Sequence, residues 1–503
     1  MLREILRAHA LTFAVAPLAV ALTTCQANAL PPLPEVVVVV DTDLPSPLVA
    51  SRARVDVYAD DGTWFDSVEV SRLSPLEWPM SFGVYSGDDS RVSHVWVRVR
   101  VYPDGRTRDY LGERPHRWDG PLVGGASPSA ALRLVKNGVD VTPVSEPDPL
   151  DTVDRLARVT LSPGTIARVG VVLRGACVGT SAVLADDPSR GPILGQAQTC
   201  LDTEKTLAPV EASVNTRPSA RSLVGTWLAT KCPAVDDPSS VAACMPGGAT
   251  LVGTVAASAN VSLASTPVRV FGVNTFWIDR REVSVGRFRT ALAAGFKPTK
   301  LPAPRDRPLI DNANSWCTWS TVEMGREDYA VTCLEWQTAR EFCQFAGGDL
   351  PTEVQWEHAG TTAGRAEKVR FPWGNDIPTC ARAVFGRSVV GGRTCPDQPA
   401  GVPSIAESDV DHTSLGVNGL AGGVTEWTLD RGVPYLDPCW SATGIVDPLC
   451  GDPAVITPTA TRALRGFSFA TQTVADLGTR FFLSVNLVEG LLGFRCAYPL
   501  APR

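Results

Sequence analysis

Histidine, methionine and closely spaced cysteine pairs are scarce in this 503-residue chain, and their scarcity excludes several kinds of site. The chain has 5 His and 4 Met, and no two cysteines stand in a CxxC spacing. Zinc ribbons and thioredoxin-like redox centres depend on that spacing, so both are excluded. Lys and Arg number 46 against 53 Asp and Glu, which gives a net charge of -7. The chain therefore lacks the basic surface that nucleic-acid binding requires.

Long apolar runs are also missing, except at the N-terminus. There Arg3 and Arg7 precede an uncharged, largely apolar run over residues 10–24, which predicts a signal peptide over residues 1–24. The run ends in LTTC, which resembles a bacterial lipobox with Cys25 as the lipidated residue. Ordinary cleavage after Ala29 is the alternative. The pattern favours an exported bacterial lipoprotein, anchored to a membrane of the cell envelope by its lipid.

The cysteine count agrees with export. Of 13 cysteines, 12 remain once Cys25 is set aside (13 − 1 = 12), and an even number in an oxidising compartment predicts disulfides. Five pairs are neighbours in the sequence: Cys177 with Cys200, Cys232 with Cys244, Cys317 with Cys333, Cys380 with Cys395, and Cys439 with Cys450. Spacing alone cannot fix the connectivity, so the pairing stays open at this point.

The length predicts two or three domains. Residues 30–205 contain strand-like runs, clearest where Val95, Val97, Val99 and Val101 alternate with polar or aromatic residues. This alternation predicts an antiparallel β-sandwich with one buried and one solvated sheet face. Residues 206–240 are rich in Pro, Ala, Ser and Thr, a composition typical of a linker. A second domain is predicted over residues 241–503, where helical and strand-like spacings alternate.

The second domain carries a series of motifs, and one of them is a helix start. In GGDLPTEVQWEHAG, Thr352 can cap a helix and Gln355 completes a capping box. Seven motifs follow one another in the order MPGGATLVGT, FWIDRREVSVGRFR, CLEWQTAREFCQFAGGDLPTEVQWEHAG, FPWGND, GLAGGVTEW, RALRGFSF and GFRCA. Together they resemble the formylglycine-generating enzyme family, also called sulfatase-modifying factors. The resemblance implies an α+β fold related to C-type lectins and a disulfide between Cys343 and Cys496.

The resemblance also implies copper chemistry, in which two cysteines hold Cu(I) and oxygen converts a sulfatase cysteine to formylglycine. Soft thiolates suit Cu(I). In this chain, no cysteine stands between Cys450 and Cys496, and Thr471 and Asp476 occupy the positions of the copper ligands. Their hard oxygens do not suit Cu(I). Phe467 further replaces a small residue and could fill the cleft. The sequence therefore predicts no catalytic residue and no bound copper.

Calcium is the second metal that the resemblance implies. The ligands would be the backbone carbonyls of Gly422 and Val424 and the carboxylate of Glu426, all hard oxygens. Gly419 stands where the family has a ligating Asp or Asn, so this structural site is incomplete. The alternative is that Glu426 only caps or pairs within its loop.

Two functions are consistent with these patterns. The favoured one is a noncatalytic binding or structural module at the cell surface, with a protein or glycan as its ligand. The alternative is a formylglycine-generating type of oxidase with altered metal chemistry around Thr471 and Asp476. In a further version of the binding-module function, the N-terminal sandwich binds the ligand and the C-terminal domain serves as a scaffold.

Overall fold

A computed structural model of the chain describes residues 33–110, 133–184, 197–210, 212–213, 221–233, 240–254, 263–309, 316–388, 392–457 and 459–500. The predicted signal peptide and Cys25 lie outside these residues. Within them, none of the helices has the length and apolar character that a bilayer crossing requires.

The described residues of the N-terminal half form two main sheets and three small ribbons. Its strands are β1 (Glu35–Thr42), β2 (Arg52–Ala59), β3 (Trp64–Ser71), β4 (Met80–Tyr85), β5 (Ser93–Tyr102), β6 (Thr107–Asp109), β7 (Val135–Lys136), β8 (Val139–Asp140), β9 (Ser145–Pro147), β10 (Val153–Leu161), β11 (Ile166–Leu173), β12 (Gln198–Cys200), β13 (Leu207–Pro209) and β14 (Ala212–Ser213). One main sheet has the order β11-β1-β4 and the other β14-β10-β5-β2-β3. The valines of β1, β5 and β11 share one hydrophobic core between them.

The prediction that all strands are antiparallel is wrong for two pairs. Strand β1 runs parallel to β11 over its whole length, and β14 runs parallel to β10. For the first pair the reason is the path of the chain. Strand β11 follows β10 after a tight turn, but it does not pair with β10; it joins the sheet β11-β1-β4, where it lies beside β1 from the start of the chain. Alternating hydrophobicity reports which face of a strand is buried but not the direction of its neighbour.

Strand β5 also differs from the expected half-solvated strand, because both of its faces are covered. Arg98 and Arg100 point away from the valine core, yet they are only 8% and 4% exposed. Arg98 donates to Asp154 at 2.7 Å, and Arg100 donates to Asp56 at 2.6 Å. These buried ion pairs replace water as the partner of the charged face.

The segment predicted as a linker is held against the N-terminal half. The Leu223 amide donates to the Asp41 carboxylate at 2.8 Å, and the Trp227 amide donates to the Asp43 carbonyl at 2.9 Å. The Trp227 ring lies against Gly175, where an added Cβ would come within 2.1 Å of it. Residues 221–233 are therefore part of the packed structure.

The C-terminal half contains short sheets and four helices among its described residues. Its strands are β15 (Ala242–Met245), β16 (Gly248–Val252), β17 (Arg269–Val273), β18 (Phe276–Asp279), β19 (Thr425–Arg431), β20 (Thr461–Arg465), β21 (Phe481–Ser484), β22 (Leu492–Gly493) and β23 (Ala497–Pro499), and its helices are α1 (Val285–Ala293), α2 (Trp336–Phe345), α3 (Glu353–Thr361) and α4 (Pro438–Ala442). Ser284 caps α1, and Thr352 with Gln355 forms the predicted capping box of α3. Strands β16 and β17 contribute to the core of the N-terminal half, so the two halves pack as one body.

Six disulfides are present, and they join the sequence neighbours as well as the pair that the family resemblance implies. They are Cys177–Cys200, Cys232–Cys244, Cys317–Cys333, Cys343–Cys496, Cys380–Cys395 and Cys439–Cys450. The bridge between Cys343 and Cys496 closes a loop of 153 residues and ties α2 to the C-terminal strand region.

Candidate functional site

The two positions aligned with the copper ligands lie after β20, in different surroundings. Asp476 is 8% exposed, and its Oδ1 accepts from the Thr254 hydroxyl at 2.9 Å and the Gly478 amide at 3.1 Å. The Thr471 hydroxyl lies 3.2 Å from both the amide and the hydroxyl of Ser468. Among the described residues no hydrogen bond links Thr471 to Asp476. The structure therefore gives each of them its own partners.

Asp476 faces a cavity of about 480 Å³ between the two halves of the protein. Phe467 does not line this cavity; it is buried and packs edge-on against Phe481, with ring centroids 5.7 Å apart. The expectation that Phe467 fills the cleft therefore does not hold for this cavity. The N-terminal half supplies Pro47, Leu48, Leu73, Pro103 and Asp104, and the C-terminal half supplies Leu251, Glu367, Lys368, Arg370 and Asp476, among other residues.

Lys368 forms part of the floor of the cavity and is fully engaged by the protein. Its ammonium donates to the carbonyls of Leu251 and Gly253 at 2.9 and 2.6 Å and also to the carboxylate of Glu357. Glu357 is buried on α3 and pairs in addition with Arg465. Burial lowers the pKa of Lys368, and the negative charge of Glu357 opposes that shift. These contacts use all three N–H donors of the lysine.

A second buried ion pair lies one helical turn away, on the same side of α3. Glu353 accepts from Nε of Arg480 at 2.6 Å, and the guanidinium of Arg480 lies 3.8 Å from the ring centroid of Tyr435. Asp430 accepts from the amides of Glu353 and Cys450 at 2.6 and 2.7 Å. Burial and the adjacent charge of Glu353 raise the pKa of Asp430 to about 7. The stretch GGDLPTEVQWEHAG thus caps α3 and also places two carboxylates, those of Glu353 and Glu357, in the protein interior.

The residues present do not provide a Cu(I) site. The six disulfides use every cysteine after Cys25, so the described residues offer no thiolate. His358 lies between the Thr362 hydroxyl and the Pro246 carbonyl, at 2.8 and 2.9 Å, and burial lowers its pKa to about 4. Across the described part of the chain, no three His, Cys, Asp or Glu side chains gather as a metal-binding group.

The carboxylate implied as a calcium ligand is occupied by other partners. Glu426 accepts from Trp356 Nε1 at 2.8 Å and from Nε and Nη2 of Arg495 at 2.7 and 2.6 Å. An arginine and an indole therefore satisfy the oxygens that were predicted, with the carbonyls of Gly422 and Val424, to bind the ion. Glu426 thus pairs with α3 and with the segment before β23, and neither partner belongs to its own loop.

A different carboxylate lies in the space next to Gly419 and Gly423. A Cβ added at either glycine would come within 3.0 or 2.6 Å of Oε1 of Glu282, so the absence of side chains there makes room for this group. Three buried oxygens beside these glycines have no hydrogen-bond partner, namely Glu282 Oε2, Asp411 Oδ1 and Ser408 Oγ. Burial raises the pKa of Glu282 and that of Asp411 to about 8 each.

Sequence reasoning missed Glu282, Asp411 and Lys368. Glu282 belongs to the motif FWIDRREVSVGRFR, so the sequence did contain a signal for it. The local spacing in that motif indicates only a helix start capped by Ser284 and assigns no role to Glu282. Asp411 and Lys368 stand outside the quoted motifs, and only the tertiary structure brings them to these sites.

Comparison with known proteins places the C-terminal half in one family. Residues 233–500 match the family of the sulfatase-modifying factor enzyme 1-like domain. The chain is 25% identical to the formylglycine-generating enzyme of Streptomyces coelicolor over 304 residues, which cover 50% of this chain and 87% of that protein. It is 29% identical to the inactive C-alpha-formylglycine-generating enzyme 2 of Bos taurus over 104 residues, covering 21% of this chain and 34% of that protein.

Among solved structures, PvdO from Pseudomonas aeruginosa matches 52% of this chain and 94% of its own length, at 17% identity and a TM-score of 0.37. The family match spans more than half of the 503 residues and contains all seven motifs. This chain is therefore a member of the sulfatase-modifying factor, or formylglycine-generating enzyme, domain family.

Proposed function

We propose that this chain is a noncatalytic member of its family that works as a binding module on the cell surface. The observation that carries the proposal is the absence of an available thiolate, because every cysteine after Cys25 is in a disulfide. The family's oxidation depends on two thiolates that hold Cu(I), and oxygen ligands do not replace them. One relative, the bovine enzyme 2, is itself named inactive.

The alternative, an oxidase with altered metal chemistry, has less support. It needs Thr471 and Asp476 to act on one metal ion, yet Asp476 Oδ1 accepts from Thr254 and Gly478, while Thr471 contacts Ser468. A metal shared by both would first have to displace these partners.

The test is a copper-binding and oxidation assay on the purified full-length chain. We expect it to take no Cu(I) from a competing chelator and to leave the thiol of a sulfatase-motif peptide unoxidised. The Streptomyces coelicolor enzyme, assayed in parallel, provides the positive control. Peptide oxidation by this chain that stops when Cu(I) is chelated would contradict the noncatalytic assignment.

Export, a lipid anchor on Cys25 and a protein or glycan ligand belong to the same proposal, as do a β-sandwich over residues 30–205 and a lectin-related fold over 241–503. The LTTC motif supports the anchor, and the even number of remaining cysteines supports export. Mass spectrometry of the mature N-terminus checks the anchor. A diacylated Cys25 is expected, and an N-terminus after Ala29 would exclude it.

We also propose that calcium binds beside Gly419 and Gly423, held by Glu282 and Asp411 rather than by Glu426. Glu282, Asp411 and Glu426 are all buried, and the Arg495 guanidinium that pairs with Glu426 also attracts the other two, so the group would carry an excess of two negative charges when ionised. Oxygens without partners on Glu282 and Asp411 are hard ligands of the kind that Ca²⁺ prefers. The ion would neutralise the cluster and stabilise the loop around it.

Calcium is expected to raise the Tm of the full-length chain. A hundredfold excess of calcium over its Kd adds about 2.7 kcal/mol to the free energy of unfolding. Calorimetry with calcium and with a chelator measures the shift, and Glu282→Gln should remove it. Glu69→Gln, a change of the same type on β3, should keep it. Equal Tm values with calcium and with chelator in the unsubstituted chain would exclude the site.

A further inference from the structure

The cavity of about 480 Å³ beside Asp476 has the size of a small-molecule site. The N-terminal half covers it on one side, and the turn that contains Pro103 and Asp104 forms part of the wall. A second cavity, of about 470 Å³, lies on the other side of this turn and also has Asp104 in its wall. Because residues of both halves enclose the space, the structure favours a small molecule over a folded partner.

The cavity offers carboxylate acceptors, beside the donor side chains of Ser51, Arg370 and Asn375. Asp476 uses only Oδ1, and its Oδ2 has no partner among the described residues. Asp104 and Glu367 are exposed carboxylates at the rim, and Asp104 has one cation near it, Arg52 at 3.6 Å. A ligand that donates hydrogen bonds would therefore find acceptors at both the floor and the rim.

The cations of the cavity offer little to an anion. The three N–H groups of the Lys368 ammonium donate to Leu251, Gly253 and Glu357. The charges behind it, Arg465 and Arg480, pair with buried glutamates. Arg370 is exposed at the rim, with its guanidinium 5.2 Å from the ring centroid of Phe371. An anionic ligand would thus meet one exposed arginine and no free N–H of Lys368, while a cationic ligand would meet three carboxylates, of which Asp476 also attracts the Lys368 ammonium.

The wall from the N-terminal half is apolar apart from Ser51 and Asp104. Pro47, Leu48 and Pro103 line it, and Leu73, which is 62% exposed, extends it to the rim. Hydrocarbon groups of a ligand would lose contact with water against these side chains, which is favourable.

We propose that this interdomain cavity binds a small amphipathic cation, an amine whose ammonium group pairs with Asp476 and whose hydrocarbon body lies against Leu48 and Leu73. The proposal rests on the binding-module function and goes beyond it, because it assigns to this cavity a small-molecule ligand separate from the protein or glycan. A charge-assisted hydrogen bond to a nearly buried carboxylate gives the site its preference for the cation.

The test uses hexylammonium chloride as the probe, with sodium hexanoate and hexanol as matched ligands of the same chain length. Ligand-observed NMR on the full-length chain is expected to give a Kd of about 1 to 10 mM for hexylammonium, as its size allows. Hexanoate and hexanol should bind at least about tenfold more weakly. Hexanoate binding as tightly as hexylammonium would overturn the proposal.

Two variants locate the site. Asp476→Asn keeps an oxygen for Thr254 and Gly478 but removes the charge, and it should weaken hexylammonium about tenfold. Asp88→Asn, an equal charge change on an exposed loop outside the cavity, should have no effect. Leu73→Ala, at an exposed position that folding tolerates, should weaken hexylammonium but not ethylammonium. Unchanged affinity in both Asp476→Asn and Leu73→Ala would overturn the proposal.

The outcomes separate this inference from the proposed function. If the chain binds no amine and also oxidises no peptide, only the ligand class is wrong. If it oxidises the peptide in a copper-dependent way, the noncatalytic function is wrong, whatever the amine does.

Discussion

Replacing Cys343 and Cys496 by alanine is expected to cost about 5 kcal/mol of the free energy of unfolding, as the chain-entropy model gives for so long a loop. The bridge closes 153 residues, so its removal frees the unfolded chain more than removal of any other bridge in the molecule. Both sulfurs are fully buried between α2 and the last strand region, so the two alanines also leave a small apolar gap whose cost adds to the loss. Urea unfolding of the full-length chain under nonreducing conditions measures the loss.

The matched control is Cys380→Ala with Cys395→Ala, which opens a loop of 15 residues. The same model gives about 3 kcal/mol for this bridge, so the long loop should cost about 2 kcal/mol more. Because the two halves share a hydrophobic core, we expect a single unfolding transition in both variants. Equal losses in the two variants would show that loop length does not govern the effect.

Arg480→Met is expected to destabilise the protein by about 3 to 5 kcal/mol, because it removes the guanidinium that hydrogen-bonds the buried Glu353 and leaves only Arg465, 3.7 Å away, beside that carboxylate. Glu353 is fully buried, and Arg480 donates to it through Nε at 2.6 Å while stacking on Tyr435. Calorimetry and urea unfolding give the change in stability. Adding Glu353→Met to the same chain should restore part of it, since two apolar side chains leave no unpaired charge.

Arg52→Met provides the comparison on the surface. Arg52 pairs with Glu69 at 2.6 Å, but both side chains are about a third exposed, at 35% and 34%. The expected loss is below about 1 kcal/mol, because water screens an exposed pair. If the double variant at Arg480 and Glu353 were less stable than Arg480→Met alone, the buried pair would contribute through packing and not through charge.

The location of Lys368 shows why the site was only partly predictable. Leu251 and Gly253 lie 117 and 115 residues before it in the sequence, and no spacing rule connects them to Lys368 or to Glu357. The capping box of Thr352 and Gln355, in contrast, was predictable because it is a contact across three residues. Local hydrogen bonds leave a pattern in the sequence, whereas cavities between two halves of a chain do not.

The direction of β11 illustrates the same limit for the fold. Its alternating valines and small residues predict a strand with one buried face, and that is what it forms. Its parallel pairing with β1 depends on which sheet it joins after β10. The sequence alone determined the family, the missing thiolates and the helix starts, because each depends on residue type and short spacing, whereas it left the disulfide connectivity open. Only the tertiary structure decided that Arg495 pairs with the Glu426 carboxylate, that Glu282 fills the space beside two glycines, and that the N-terminal half covers Asp476. Each of these contacts joins segments that are distant in the sequence and meet only on folding.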